Sequence, residues 1–355
     1  MFLAINEILK EKSRFVLITI VIILVSYLVF FLTALAYGLA TSYTQALDKW
    51  DASGIILAKN ANNAVGRSLL FEDDYRGQLG DDRALLGVGA ATIEIDGSED
   101  VAIFGIDQTS FLSPEVSSGR GFTVDNEVVV SDELKRIGVA EGDAISLQGA
   151  ETTYTVVGFA EKATFQTAPV VYMTLPAWRI AASEVSGMTA MRDNTTVSAI
   201  VTRGDGHSAH TTDRTLWQSM RDFSFTLPGY QAQVLTFSLM ISFLIGIAAF
   251  VLAIFIYILT LQKKNIFGVL KAEGVSTGYI GWSVMVQVLL LLLFGLAIGL
   301  ALALLTGFFL AGKVPFAVNV SFFLGIIGLF VVCAVLGGLA SVRSVAKIDP
   351  VEAIG

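Results

Sequence analysis

Cysteine is almost absent from this 355-residue chain: Cys333 is the only one, and it lies inside an apolar run. A disulfide within the chain and a cysteine-based zinc site are both excluded. Histidine is nearly as scarce. The spacing of His207 and His210 could bring two imidazoles together on a helix. They sit, however, in a Gly-rich polar stretch with no HExxH context, where a solvated loop is the simpler reading. Charge is the third shortage. Charged residues make up 15% of the chain against 54% hydrophobic, with a mean hydropathy of +0.70, whereas a soluble domain carries roughly 25% charged residues. The net charge of −8 argues against nucleic acid, which favours a basic face. Nothing assembles a Ser/His/Asp set, so the chain reads as non-catalytic.

What is present is four long apolar runs, near 15–40, 234–261, 280–311 and 320–341. Each passes the length test of about 20 residues for a bilayer span. In the first, Phe15–Tyr37 reads as the span, and the residues through Thr41, Ser42, Tyr43, Thr44 and Gln45 as a helical stalk continuing above it. Ala34-Leu35-Ala36 resembles a cleavage site, but signal h-regions run about 7–15 residues, so an uncleaved anchor is expected. Short-loop basic residues set orientation. Lys10, Lys12 and Arg14 precede the first span, Lys263, Lys264 and Lys271 separate the second from the third, and Arg343 and Lys347 follow the fourth. The expected layout, in the cell membrane with both termini cytoplasmic, is then a cytoplasmic amphipathic helix over 1–14, span one with its stalk over 15–49, and an extracytoplasmic α+β domain over 50–226. Span two follows at 227–261, a cytoplasmic segment at 262–279, spans three and four at 280–341, and a cytoplasmic tail at 342–355.

The middle stretch is punctuated as an α+β domain. Gly54–Asn60 is strand-like; Ala91–Gly97 alternates into a turn and can pair with Val101–Ile106. Asn126–Val139 reads as a strand, then Ser131 as helix N-cap, then a short helix ending at Gly138. Residues 142–160 read as two strands about a turn near Gln148-Gly149. Pro176 suits the first turn of a helix, and Thr196–Thr202 reads as one strand. The spans carry almost no ionisable groups, which disfavours a proton-coupled carrier or ion channel. Gly295 and Gly299 form a GxxxG that lets helices approach closely, for packing inside the chain or along a dimer seam. Gly307–Val314 nearly spells a P-loop but lacks the Ser/Thr that holds Mg²⁺ and follows an apolar helix rather than a strand. Arg203-Gly-Asp205 is an adhesion tripeptide by letter only.

Two segments are more specific. Gln262–Gly274, QKKNIFGVLKAEG, closes span two with a basic, amphipathic stretch, and Arg343–Ala353 reads RSVAKIDPVEA. Together with the span layout, these residues resemble the permease subunits of type VII ABC transporters, the MacB/FtsX-like superfamily. Trp50–Leu57, Ser118-Gly-Arg120-Gly-Phe122, Glu127–Val130, Gly142-Asp143, Tyr154–Gly158 and Pro169–Tyr172 look like the compact DevC/HrtB-type permeases, whose HrtB branch exports haem.

The resemblance implies a permease homodimer seated on two copies of a separate ABC ATPase, which would bind the ATP and Mg. Lys263, Lys264, Phe267, Leu270 and Lys271 would couple that ATPase to span two. It also implies haem as transported substrate rather than intrinsic cofactor. Haem is flat, apolar and membrane-soluble, and its iron accepts Tyr or Met ligands. Candidate contacts are Tyr230 and Met240 first, then Tyr43 and Tyr172, with Tyr37, Phe30, Phe31 and Gln233 around them. Tyr at a membrane boundary is also an ordinary anchor, and Met a common filler. Two alternatives stay open: an exporter of peptide, antibiotic or lipid, or a non-transporting subunit that passes ATPase motion to an outer partner.

Overall fold

The computed structural model describes residues 12–75, 77, 79–95, 97–186, 195–204, 213–262, 264–311 and 313–346. Residues 1–11 of the expected amphipathic helix, both histidines, Lys263 and the tail from 347 onward lie outside the described residues. The chain begins with α1 (Lys12–Ser42) and α2 (Gln45–Asp48). Then follow β1 (Gly54–Ala58), β2 (Leu70–Phe71), β3 (Arg83–Ile95), β4 (Gly97–Ile106), β5 (Val116–Gly119), β6 (Glu127–Ser131) and β7 (Ala144–Leu147). Next are β8 (Thr153–Ala160), β9 (Thr164–Phe165), β10 (Ala168–Thr174), α3 (Leu175–Ser186), β11 (Thr196–Val197), β12 (Ala199–Thr202) and β13 (Thr215–Ser219). The last third is helical: α4 (Met220–Thr226), α5 (Tyr230–Gln262), α6 (Lys264–Ala272), α7 (Thr277–Phe309) and α8 (Val320–Ala346). Two compact units result, one of residues 1–38 with 235–355, the other of 39–234.

Among the described residues, four helices are long and apolar enough to cross a membrane, over Phe15–Ser42, Tyr230–Val251, Thr277–Phe309 and Val320–Leu339. With lipid outside, close packing rather than water exclusion must hold them together. The GxxxG serves that purpose inside the chain. A Cβ at Gly295 would lie 2.5 Å from Ile22 Cγ2, and one at Gly299 2.1 Å from Ser26 Oγ, so α7 accepts α1 only where it has no side chain. Ser26 Oγ also donates to Gly295 O at 3.3 Å. Phe30 is fully buried against Phe323 of α8, ring centroids 5.1 Å apart. Gly307, the first glycine of the near P-loop, is a seat for the Phe316 ring, which a Cβ there would meet at 2.2 Å. Its role is packing between α7 and the loop after it.

The 39–234 unit is a mixed sheet with three apolar cores. The hydrogen-bonded path β3–β4–β10–β6–β8–β7 returns to β3, because β7 pairs with both β8 and β3. β4–β10 and β6–β8 are parallel; the other pairs are antiparallel. On the far side of β3 the sheet continues through β12 and β1 to β13. Trp178 of α3 fills one core, and two glycines make room for it: a Cβ at Gly87 or Gly105 would stand 2.3 or 2.4 Å from its side chain.

Local signals explain several elements. Ser131 accepts from Glu133 N–H, and Gly138 ends the turn at φ +99, but the segment winds as a 3-10 helix rather than an α-helix. The family-like Ser118–Phe122 stretch is a clamp: Arg120 pairs with both Glu127 oxygens, while Thr123 N–H and Oγ1 donate to Glu127 Oε2 at 2.9 and 3.0 Å. Arg120 holds the Glu127 carboxyl down at about 2. Arg203 is a strut, its Nε donating to Trp50 O at 2.7 Å. The strand expected over Thr196–Thr202 is interrupted. β11 pairs with β2 and β12 with β3, and Ser198 between them donates its N–H to Leu86 O while its Oγ accepts from Val88 N–H.

Candidate functional site

The stalk after span one departs from expectation. Residues 39–50 contain neither glycine nor proline, and a continuous helix is the natural reading. Instead α1 stops at Ser42, turns through Tyr43 and Thr44, and restarts at Gln45. The reason is the β9–β10 hairpin. Thr164 Oγ1 donates to Ser42 O at 2.7 Å, Thr167 N–H to Ser42 O at 3.2 Å and Gln166 N–H to Tyr43 O at 3.0 Å. These carbonyls, orphaned at a helix end, are satisfied from outside the helix.

The break sets Tyr43 against Tyr230, the first residue of α5, with ring centroids 5.5 Å apart and planes tilted by 53°. Phe225 meets Tyr230 edge-on at 5.7 Å and is partly exposed. Gly229, at φ +81, lets the chain pass close to the Tyr43 hydroxyl, 3.4 Å from where a Cβ would stand. Gln233 lies one turn along α5, and its Nε2 is buried without a hydrogen-bond partner. Asp48 joins the group, a residue the sequence did not single out. It is exposed by area, yet surrounding protein desolvates its carboxyl and lifts it above the ordinary carboxylate range, against a 2.9 Å bond from Thr44 Oγ1. Two phenols, an open aromatic edge, an unpaired amide donor and a carboxylate can hold a flat aromatic ligand that carries both a metal centre and polar edges.

The remaining candidates are dispersed. Tyr172 is 1% exposed in the sheet core, edge-on to Phe104, and burial pushes its hydroxyl well above its usual pKa. A ligand would have to open the core to reach it, so it leaves the candidate set. Phe30 is consumed by packing, Phe31 stacks between Tyr27 and Phe316, and Tyr37 meets Phe322 edge-on at 5.5 Å. Met240 is open on α5, 37% exposed.

Among the residues expected to couple to an ATPase, Lys264 opens α6 and Lys271 is partly buried in its last turn. Phe267 is 3% exposed and Leu270 partly buried; both face the core of the helical unit. The outward apolar face is Ile266 and Val269, 48% and 46% exposed. The sequence showed the amphipathicity but not which apolar residues turn inward, because both sets are apolar and only the neighbouring helices choose between them.

Residues 235–350 match the FtsX-like permease C-terminal family. Over its whole length the chain is homologous to proteins named as hemin transport system permease proteins, HrtB. It is 27% identical over 361 residues to those of two Staphylococcus epidermidis strains, covering 100% of this chain and 99% of each relative. Identity to the Staphylococcus haemolyticus protein of that name is 25% over 357 residues, with the same coverage. A solved structure, the extracellular domain of the noncanonic ABC-type transporter YknZ from Gram-positive bacteria, is similar over 43% of this chain and 83% of its own, at 12% identity and a TM-score of 0.31.

Proposed function

We propose that this chain is the permease subunit of an ABC efflux transporter that takes haem from the membrane and releases it outward. A separate ATPase drives it. The observation that carries the reading is the Tyr43–Tyr230 pair: two of the phenols picked out by sequence as iron ligands, far apart in the chain, stand with ring centroids 5.5 Å apart. The names of the full-length relatives support the same substrate. Either phenol can ligate ferric iron, Phe225 offers an aromatic edge to the macrocycle, and the Gln233 amide offers a donor to a propionate.

In this reading the 39–234 unit is extracytoplasmic, both termini are cytoplasmic, and two copies of the chain sit on two ATPase copies. The Ile266–Val269 face of α6 meets the ATPase, while Phe267 and Leu270 carry its movement into the helices. The test is an absorbance titration of the purified full-length chain with haemin, repeated for Tyr43→Ala, Tyr230→Ala and Met240→Ala. The tyrosine variants should alter the Soret band and weaken binding, and Met240→Ala should do neither. A parent protein that leaves the haemin spectrum unchanged sinks the haem reading. Unaltered spectra in both tyrosine variants sink the ligand assignment.

A further inference from the structure

We propose that Thr164 is the positioning residue for the Tyr43–Tyr230 site, acting by holding the break that ends α1. The proposal rests on the haem reading for its functional consequence but not for its geometry. Thr164 is fully buried, and its hydroxyl lies 2.7 Å from Ser42 O and 2.9 Å from the Gln45 amide oxygen as placed. A hydroxyl has one proton to give. Donated to Ser42 O, it leaves the Thr164 oxygen as an acceptor, so Gln45 presents its NH₂ group there. Thr164 then binds the last turn of α1 and the first of α2 at once, across the break.

The hairpin around it is built under strain. Gln166 and Thr167 both adopt left-handed backbone, φ 51 and φ 70, which neither side chain favours. That conformation is what aims the N–H of Gln166 at Tyr43 O and that of Thr167 at Ser42 O. Strain of this kind persists only where surrounding structure over-determines it. Nothing in the local sequence stops the helix here. Without the hairpin's donors, the Ser42 and Tyr43 carbonyls would find partners by continuing the helix. Tyr43 would then turn with the added residues and leave Tyr230. Haem affinity thus depends on a buried threonine that touches no ligand.

Two readouts on the full-length chain in detergent test this. The first is haemin affinity for the parent, Thr164→Val and Thr164→Ser. The second needs no ligand: Tyr43→Cys with Tyr230→Cys in a Cys333→Ser background, bridged by dibromobimane, which fluoresces on linking two nearby thiols. Thr164→Val keeps the shape and deletes the hydroxyl; it should weaken haemin binding about tenfold and reduce bridging, and Thr164→Ser should restore both. If Thr164→Val does not fold, Gln45→Leu carries the same readouts. Unchanged bridging in the hydroxyl-deleted chain overturns the proposal, even if melting drops, because Thr164 is then merely structural. Unchanged affinity in a haem-binding parent overturns it as well. If the parent binds no haemin, the haem reading falls, and bridging alone decides the positioning role.

Discussion

The helices that lead into and out of the sheet domain are made of the same material and used differently. Both α1 and α5 are long, apolar and free of charge between Phe15 and Ser42 and between Tyr230 and Gln262. Yet 33% of an 18-residue apolar stretch of α1 is buried within the chain, against 6% of the corresponding stretch of α5. α1 lies in a seat of glycines on α7 and against Phe323 of α8. α5 contributes Leu244, Ile245 and Ala248 to that core and leaves Phe243 and Phe250 70% and 68% exposed. Apolarity alone therefore does not say what a span packs on. In a bilayer lipid satisfies an apolar face as well as protein does, and close approach by small residues makes the difference.

Changes at the α1 seat test that contrast most severely. Gly299→Leu forces a side chain into Ser26 Oγ and the Ile23 carbonyl, 2.1 and 3.0 Å from its Cβ. It should cost about 3 kcal/mol or abolish folded protein, read as monodisperse yield and melting temperature in detergent. Phe30→Ala should cost about 2 kcal/mol, mostly the cavity, because lipid replaces much of the lost transfer term. Phe243→Ala, its counterpart on α5, should change melting by less than about 0.5 kcal/mol. Any effect it has should appear in the oligomeric state, by light scattering or crosslinking. Equal destabilisation by Phe30→Ala and Phe243→Ala would erase the distinction between the helices.

The smallest expected effect separates spans from domain by pH. Neither 15–42 nor 230–262 holds an Asp or Glu, whereas the domain between them holds many. Glu127 is lowered from its ordinary 4.5 to about 2, first by the Arg120 hydrogen bonds and then by those of Thr123. A depressed carboxylate stabilises the fold fully above its unfolded value and loses that contribution as pH falls through the folded one. The parent should thus become steadily less stable between pH 4.5 and about 2. Arg120→Gln should flatten that fall and lower melting at neutral pH by a matching amount, because it removes the same contribution that acid removes, a small one since the Arg120 side chain is exposed. A parallel acid profile in the variant would show that other carboxylates dominate.

Much of this architecture was legible in the residues. The four runs, the β3–β4 hairpin, the Ser131 cap and the Pro176 helix start all depend on contacts within a few residues, which local chemistry sets. Tyr43 and Tyr230 were legible as candidates by type and by their place at span ends. What could not be read is what depends on partners distant in sequence. The Ser198 interruption needs Leu86 and Val88. The burial of Tyr172 needs Phe104 from a neighbouring strand. The inward turn of Phe267 needs the helices it packs on. Asp48 escaped notice because one carboxylate beyond a span looks like any solvated charge until Thr44 and its surroundings are in place.

By itself, the sequence determined the number of long apolar runs, too long and too apolar for water, and the expected orientation, through the basic residues of short loops. The tertiary structure alone decided where α1 ends and which tyrosines meet. In residues 39–50, which hold neither glycine nor proline, α1 meets no local breaker at Ser42. It stops because a strained hairpin more than a hundred residues away supplies the hydrogen bonds that the next helical turn would otherwise have made.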